Sequence, residues 1–240
     1  MQNLIRYFIN LFDKISNRKV INELKKYFIN DINVFFDVGG HHGETTIWFS
    51  KFFKIKKIYI FEPNFDSFNI LKKKISKINK KFTIKIYNFA LGNENKEADL
   101  KQMIESSSST FHDLDENSQY YKRKKKILTL FFDKKLFNEK RAQIVNFVDF
   151  IKEEKVDYID LLKIDTEGYE LNILKGLNDS IKKTKLIYFE HHFDLMIKKG
   201  YKFNDINQLL MQSGFKQVFK NKMVFRKSFE YIYINSSIKG

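Results

Sequence analysis

The stretch from Val34 to Thr46 limits the possible folds more than any other part of the chain. Val34 to Phe36 is a short apolar run of the kind found in strands buried on both faces. Asp37 closes the run, and Gly39, Gly40 and Gly43 follow at once. Beyond them, Ile47, Trp48 and Phe52 recur at helical spacing. This pattern predicts strand, tight glycine turn and helix. Such a turn lets a ligand approach the backbone, and the helix behind it offers free N–H groups and a positive dipole end.

Two ligand classes use this arrangement. A nicotinamide or flavin site carries G-x-G-x-x-G with its first glycine at the strand end. Here Val38 holds that place, and only Gly40 and Gly43 fit. An S-adenosylmethionine site carries an acid followed by G-x-G-x-G. This chain supplies Asp37, Gly39 and Gly43, with His41 at the middle glycine. The acid discriminates between the two, because a carboxylate at the strand tip repels a pyrophosphate and suits ammonium and sulfonium charges. The cofactor expected on these grounds is S-adenosylmethionine, held by Asp37, Gly39, Gly40, His41 and Gly43.

A length of 240 residues suits one α/β domain with a modest extension. The absence of cysteine excludes disulfides, thiolate catalysis and cysteine-based zinc sites. Nothing reads as a signal peptide or a membrane span, so a cytoplasmic location is expected. The formal charge of +15 invites a nucleic-acid reading. However, Lys, Ile, Asn and Phe all abound and share A/T-rich codons, so genomic bias accounts for the excess. The densest basic run, Lys122 to Lys126, reads as a solvated loop. No nucleic-acid partner is expected; anionic glycans and membrane surfaces are alternatives.

Residues 1–30 form a predicted helical extension, with two amphipathic patterns (Leu4, Ile5, Phe8, Leu11, Phe12, Ile15, then Val20, Ile21, Leu24, Phe28). They are expected to pack over an edge of the domain or over its cleft, with a membrane-surface helix as the sharper alternative. The main domain is expected over 31–240. Within it, Lys57 to Phe61 predicts a second strand ending in Glu62, close to the roughly 20-residue offset at which nucleotide folds place a ribose-binding carboxylate. Pro63 stops that strand, and Asn64 caps a helix through Phe68, Leu71 and Ile75. Phe82 to Tyr87 predicts a third strand, after which Phe89 and Ala90 are candidates to hold adenine. The hydroxyls of Ser106 to Thr110 either touch the cofactor tail or cap a turn. Lys126 to Phe132 and Gln143 to Phe147 read as strands, with Asp149 opening a helix.

Tyr158 to Glu170 repeats the logic of the first motif: apolar strand, acid (Asp165), glycine (Gly168), then a helix with Leu171, Leu174 and Leu177. Leu186 to Phe189 predicts a further buried strand ending in Glu190-His191-His192. Ile206, Leu209 and Leu210 mark a helix, and Phe215 to Phe219 and Tyr231 to Ile234 read as closing strands. A parallel sheet built this way holds its site at the carboxyl edge.

Three segments in this order, Asp37-Val38-Gly39…Gly43, Phe61-Glu62-Pro63-Asn64 and Lys163-Ile164-Asp165-Thr166-Glu167-Gly168-Tyr169-Glu170, together with Ala90-Leu91-Gly92, resemble the FkbM family of S-adenosylmethionine-dependent methyltransferases. The likeness runs from about Val34 to Ile234. It implies a class I methyltransferase fold, Rossmann-like, with a seven-stranded mostly parallel sheet, helices on both faces and one antiparallel strand near an edge. It also implies O-methylation, commonly of a sugar or another natural-product hydroxyl. His41 stands where the family usually has asparagine.

A hydroxyl acceptor must lose its proton, best to a group with pKa near the operating pH. Of the histidines, only His191 and His192 fall at a strand end facing the expected crevice, and successive residues in a strand point opposite ways. His191 is the favoured base, with Asp165 and Glu167 as rivals, and nothing in the spacing demands a metal. The competing functions are an RNA methyltransferase, an NAD-dependent sugar-modifying enzyme and a binding protein without catalysis.

Overall fold

A computed structural model describes residues 18–28, 31–78, 82–103, 109–129, 137–224 and 227–238. The first amphipathic pattern, Leu4 to Ile15, lies outside the described residues, as do Ser106 to Ser108. The elements, in chain order, are α1 over residues 18–24, β1 Asp31–Val38, α2 Glu44–Phe49, β2 Lys54–Phe61, α3 Phe65–Ile75, β3 Thr83–Tyr87, β4 Ala90–Gly92, β5 Lys96–Met103 and β6 Ser109–Thr110. They continue with α4 Gln119–Thr129, β7 Phe137–Asn146, α5 Phe147–Glu153, β8 Ile159–Ile164, α6 Glu170–Leu177, a 3₁₀ turn Asn178–Lys183, β9 Thr184–His192, α7 Phe203–Gln212, β10 Phe215–Lys222 and β11 Ser228–Asn235.

The main sheet has seven strands in the order β10-β11-β9-β8-β1-β2-β3. β1, β2, β3, β8 and β9 pair in parallel, and β11 runs antiparallel to both β9 and β10. Strand alternation divides the core in two. Phe35, Ile58, Ile60, Leu161, Leu186 and Ile232 meet α1, α2 and α3 on one face. Phe36, Tyr59, Phe61, Leu162, Phe189 and Tyr231 meet α5, α6 and α7 on the other. The strands read as continuous apolar runs because both faces are covered. This is the class I methyltransferase architecture.

Val20, Ile21, Leu24 and Phe28 are buried in the first of these layers, and Lys185 Nζ donates to the Tyr27 carbonyl at 3.3 Å. The described part of the N-terminal segment therefore packs on the sheet face that carries α2 and α3. Asn64 caps α3 as its type requires, its side chain accepting from the amides of Asp66 and Ser67, both at 3.0 Å. No helix among the described residues is long and apolar enough to cross a membrane.

Two sequence expectations are corrected between β3 and β8. The basic run Lys122 to Lys126 belongs to helix α4 and is not a loop, and residues expected to begin a strand at Lys126 continue that helix to Thr129. Tyr121 anchors α4 in a small core with Met103, Leu114, Met196 and Ile197. The second difference is an unforeseen four-stranded sheet, β4-β7-β5-β6, in which β7 is much longer than Gln143 to Phe147 and ends at Asn146. It covers one side of the cleft described next.

Candidate active site

The register of the parallel strands builds the site. Tyr87, Phe61, Val38, Ile164 and Phe189 are aligned as the last parallel partners of β3, β2, β1, β8 and β9. The next residue on each strand is Asn88, Glu62, Gly39, Asp165 and Glu190. One row past the last pairs, three carboxyl groups and a glycine therefore reach the carboxyl edge of the sheet together. That row lines a cleft with His41, Thr166, Glu167 and Tyr169, and its apolar wall comes from Val38, Phe61, Ala90, Leu91 and Ile173. The second sheet closes the cleft with Leu100 and Ser109, and Phe111 follows just after β6.

One row earlier lies the acid on which the sequence argument turned. Asp37 is the Cα partner of Lys163 and is fully buried. Its Oδ2 accepts from Thr46 Oγ1 at 2.7 Å, and its Oδ1 lies 3.0 Å from Lys163 Nζ. Lys163 also donates to the Gly39 carbonyl at 2.9 Å. Burial opposes its charge, but Asp37 and Asp165 outweigh that and raise the lysine above its ordinary pKa. Asp37 thus ties β1 to β8 and to α2, and it is not among the residues lining the cleft.

The glycines serve packing as much as ligand approach. A Cβ on Gly39 would come 1.9 Å from the Asp165 carbonyl oxygen, and one on Gly40 would meet Ile60 at 2.2 Å. Gly43, with φ of 83°, caps α2 in the left-handed region that glycine adopts freely. Only Gly39 and His41 of this turn line the cleft. Glu62 accepts from the amides of His41 and Asn64, both at 2.8 Å, so the turn and α3 fix its carboxylate. Burial raises its pKa, with those two amides working against the rise. Ala90 lines the cleft, whereas Phe89 makes tilted and edge-on ring contacts with Phe61, Tyr87 and Phe150 and is not in its lining. Core packing claims Phe89.

At the far end of the cleft, strand alternation separates two neighbours. His191 shares the side of Phe189, which α6 and α7 cover. It is 2% exposed, packs against Phe193, Tyr201 and Phe203, and lies 3.9 Å from Glu170. Burial, then Lys199 and His192, lower its pKa to about 3. His191 does not line this cleft; with His192 it lines the adjoining cavity, beside Phe193, Asp194, Lys199 and Tyr201. His192 and Glu190 take the opposite side. His192 Nε2 lies 3.1 Å from Glu167 and 3.3 Å from Glu190, and its Nδ1 lies 3.6 Å from Asp194. Burial opposes the charged ring, but Glu167, Asp194 and Glu190 together raise it to about 10. Burial, then Asp165, push Glu190 up to about 8, against the pull of His192.

The loop carrying Asp165 and Glu167 is held from below by Glu170. That carboxylate is fully buried, accepts from the Gly168 amide at 2.8 Å and from Thr166 at 3.3 Å, and receives the Tyr201 hydroxyl. Glu167 and Gly168 both have positive φ, 50° and 103°, which turns the loop sharply toward the cleft. In the sequence Glu190 and His192 stand beside His191 at the strand end, and the assignment there rests on His191 alone. Alternation from Phe189 separates them from His191 and shows which pair shares a side.

Residues 37–217 match the model of the methyltransferase FkbM domain. The chain belongs to the FkbM family. No curated protein matches its sequence. Among solved structures, it is similar to an FkbM methyltransferase from Methylobacillus flagellatus KT, with 14% identity and a TM-score of 0.53 over 85% of this chain and 43% of that one. The chain thus spans less than half the length of that relative. TrmK of M. capricolum, solved with S-adenosyl-homocysteine, has 12% identity and a TM-score of 0.52 over 90% of this chain and 67% of its own. Magnesium protoporphyrin IX methyltransferase of Synechocystis PCC 6803, solved with bound SAM, has 9% identity and a TM-score of 0.50 over 95% and 84%. At these identities the likeness is one of fold.

Proposed function

We propose that this FkbM domain transfers the methyl group of S-adenosylmethionine to a hydroxyl of a neutral, polyhydroxylated acceptor, a sugar or glycan. The carrying observation is the row of Glu62, Asp165 and Glu190 one residue past the last strand pairs, with Glu167 beside it. The cleft suits the cofactor at its nearer end. Glu62 has carboxylate lone pairs for ribose hydroxyls, Val38, Phe61, Ala90 and Leu91 offer an apolar wall for a base, and the Tyr169 hydroxyl is buried without a hydrogen-bond partner among the described residues. When bound, S-adenosylmethionine would supply an electrophilic methyl group, which the acceptor oxygen takes in line as S-adenosylhomocysteine leaves.

The chain's own residues align the acceptor and take its proton. Glu167, Asp165 and Glu190 accept hydrogen bonds from several hydroxyls and so orient the ring, which supplies much of the rate in a displacement. Glu190, raised to about 8, is the proton acceptor best matched to neutral pH. His192, held as an imidazolium between Glu167 and Glu190, fixes both carboxylates. An RNA substrate is the second reading, favoured by the charge of +15. The acceptor end opposes it, because clustered carboxylates repel phosphates where the acceptor must sit.

The test is transfer of isotopically labelled methyl from S-adenosylmethionine to free sugars, neutral glycan fragments and transfer RNA. Label on a hydroxyl of the neutral acceptors supports the proposal. Label in RNA alone, at physiological salt, overturns it.

A further inference from the structure

At the rim of the cleft, His41 belongs to a second cluster, apart from the row of carboxyl groups. His41, His42 and Glu44 lie within one turn of chain, and one ligand atom from each falls within 4.8 Å of the others. The two imidazoles stack, with centroids 3.6 Å apart and planes 24° from parallel, which holds both Nδ1 atoms toward one carboxylate. His41 Nδ1 lies 3.4 Å from Glu44 Oε2, and His42 Nδ1 lies 3.6 Å from Oε1.

The carboxylate thus faces both imidazoles, and one ligand atom of each group is near enough to the others for rotation of these side chains to bring all three to one ion. Ligands about 2.0–2.1 Å from a tetrahedral zinc ion stand roughly 3.3–3.5 Å from one another. We propose that His41, His42 and Glu44 bind a borderline transition-metal ion of the Zn²⁺ class, leaving its fourth position to water. Two imidazoles and one carboxylate are the donor set such ions prefer, and the set is a poor one for Mg²⁺ or Ca²⁺, which take oxygen ligands.

The surroundings fit an ion arriving from solvent. The side chain of Glu44 is 58% exposed and that of His41 34%. Lys74 Nζ contacts Glu44 Oε1 at 2.9 Å, and the His42 amide donates to Oε2 at 3.1 Å, so the carboxylate is oriented before any ion binds. Ligation through Oε2 keeps the Lys74 contact as an outer support. The site is also wired to the cleft, because the His41 amide donates to Glu62. An ion here stiffens the turn that holds Glu62.

The proposal stands independently of the acceptor and of the cofactor, and its test needs neither. The untagged chain is titrated with Zn²⁺ in competition with a chromophoric chelator, and with Co²⁺ followed by visible absorption. One equivalent of Zn²⁺ and intense Co²⁺ bands of low coordination number are expected. His42→Ala and Glu44→Gln should each weaken Zn²⁺ at least tenfold. His41→Asn, which keeps a residue tolerant of the left-handed backbone found there (φ 45°), should do the same. Circular dichroism melting without metal reports whether each variant is folded. Weak, multi-equivalent binding that folded variants leave unchanged overturns the site.

Discussion

The loops after β1 and β8 look alike in sequence and do opposite work. Each follows an apolar strand with an acid, glycine and a helix. After β1 the acid is Asp37, one residue inside the last parallel pair, where Lys163 of the neighbouring strand meets it and α2 covers it. After β8 the acid is Asp165, one residue beyond that pair, with a side chain 39% exposed on the cleft. A shift of two positions along the sheet separates a buried, lysine-paired acid from one that lines the cleft. Glu62 and Glu190 obey the same rule and line the cleft.

The sharpest way to break the comparison is to remove the partner of the inner acid. Lys163→Met leaves the buried Asp37 carboxyl without its lysine partner, and urea denaturation should show a loss of about 3–5 kcal/mol. Asp165→Asn should change stability by only about 0.5 kcal/mol, as an exposed position does. Similar losses for both would erase the distinction.

Next in size is the effect on turnover. Glu190→Gln should lower it roughly 10²–10³-fold at unchanged cofactor affinity, the lower part of the range for a general base. Wild-type turnover should rise with pH through about 8, as the Glu190 carboxyl loses its proton, and that limb should vanish in the variant. His191→Ala, on the covered side of the strand, should destabilise the fold while the pH profile keeps its shape. A profile abolished by His191→Ala and kept by Glu190→Gln would return the base to His191.

Glu62→Ala should weaken S-adenosylmethionine by about 1.5–3 kcal/mol, the worth of hydrogen bonds to a charged group. Unchanged affinity would remove Glu62 from the ribose position. The smallest effect concerns His192, whose pKa is raised from 6.5 to about 10 by its carboxylate neighbours against burial. A raised histidine stabilises most fully below its unfolded pKa and loses that contribution as pH rises through its folded value. The stability gap between wild type and His192→Gln should therefore be full below pH 6.5 and close toward pH 10. A gap that widens with pH would contradict the carboxylate clamp.

Much of this was legible in the sequence. The strand-and-acid rhythm marked the carboxyl edge, Glu62 and Asp165 both emerged from it, and Asn64 declared the start of α3. What stayed hidden depended on partners distant in the chain. Asp37 reads as a ligand until Lys163 is placed opposite it. His191 and His192 are equivalent until α6 and α7 cover one side of β9. The second sheet escaped because β5, Lys-Glu-Ala-Asp-Leu-Lys-Gln-Met, buries only Leu100 and Met103 and shows little apolar pattern. The run Lys122 to Lys126 hid helix α4, since charge masks a periodicity that rests on Tyr121.

The central claim is that this edge of the sheet holds a methyl donor. Calorimetric titration of the chain with S-adenosylmethionine, S-adenosylhomocysteine and NAD tests it most directly. The account predicts binding of one equivalent of each of the first two and none of NAD. Binding of NAD with no response to S-adenosylmethionine would contradict it.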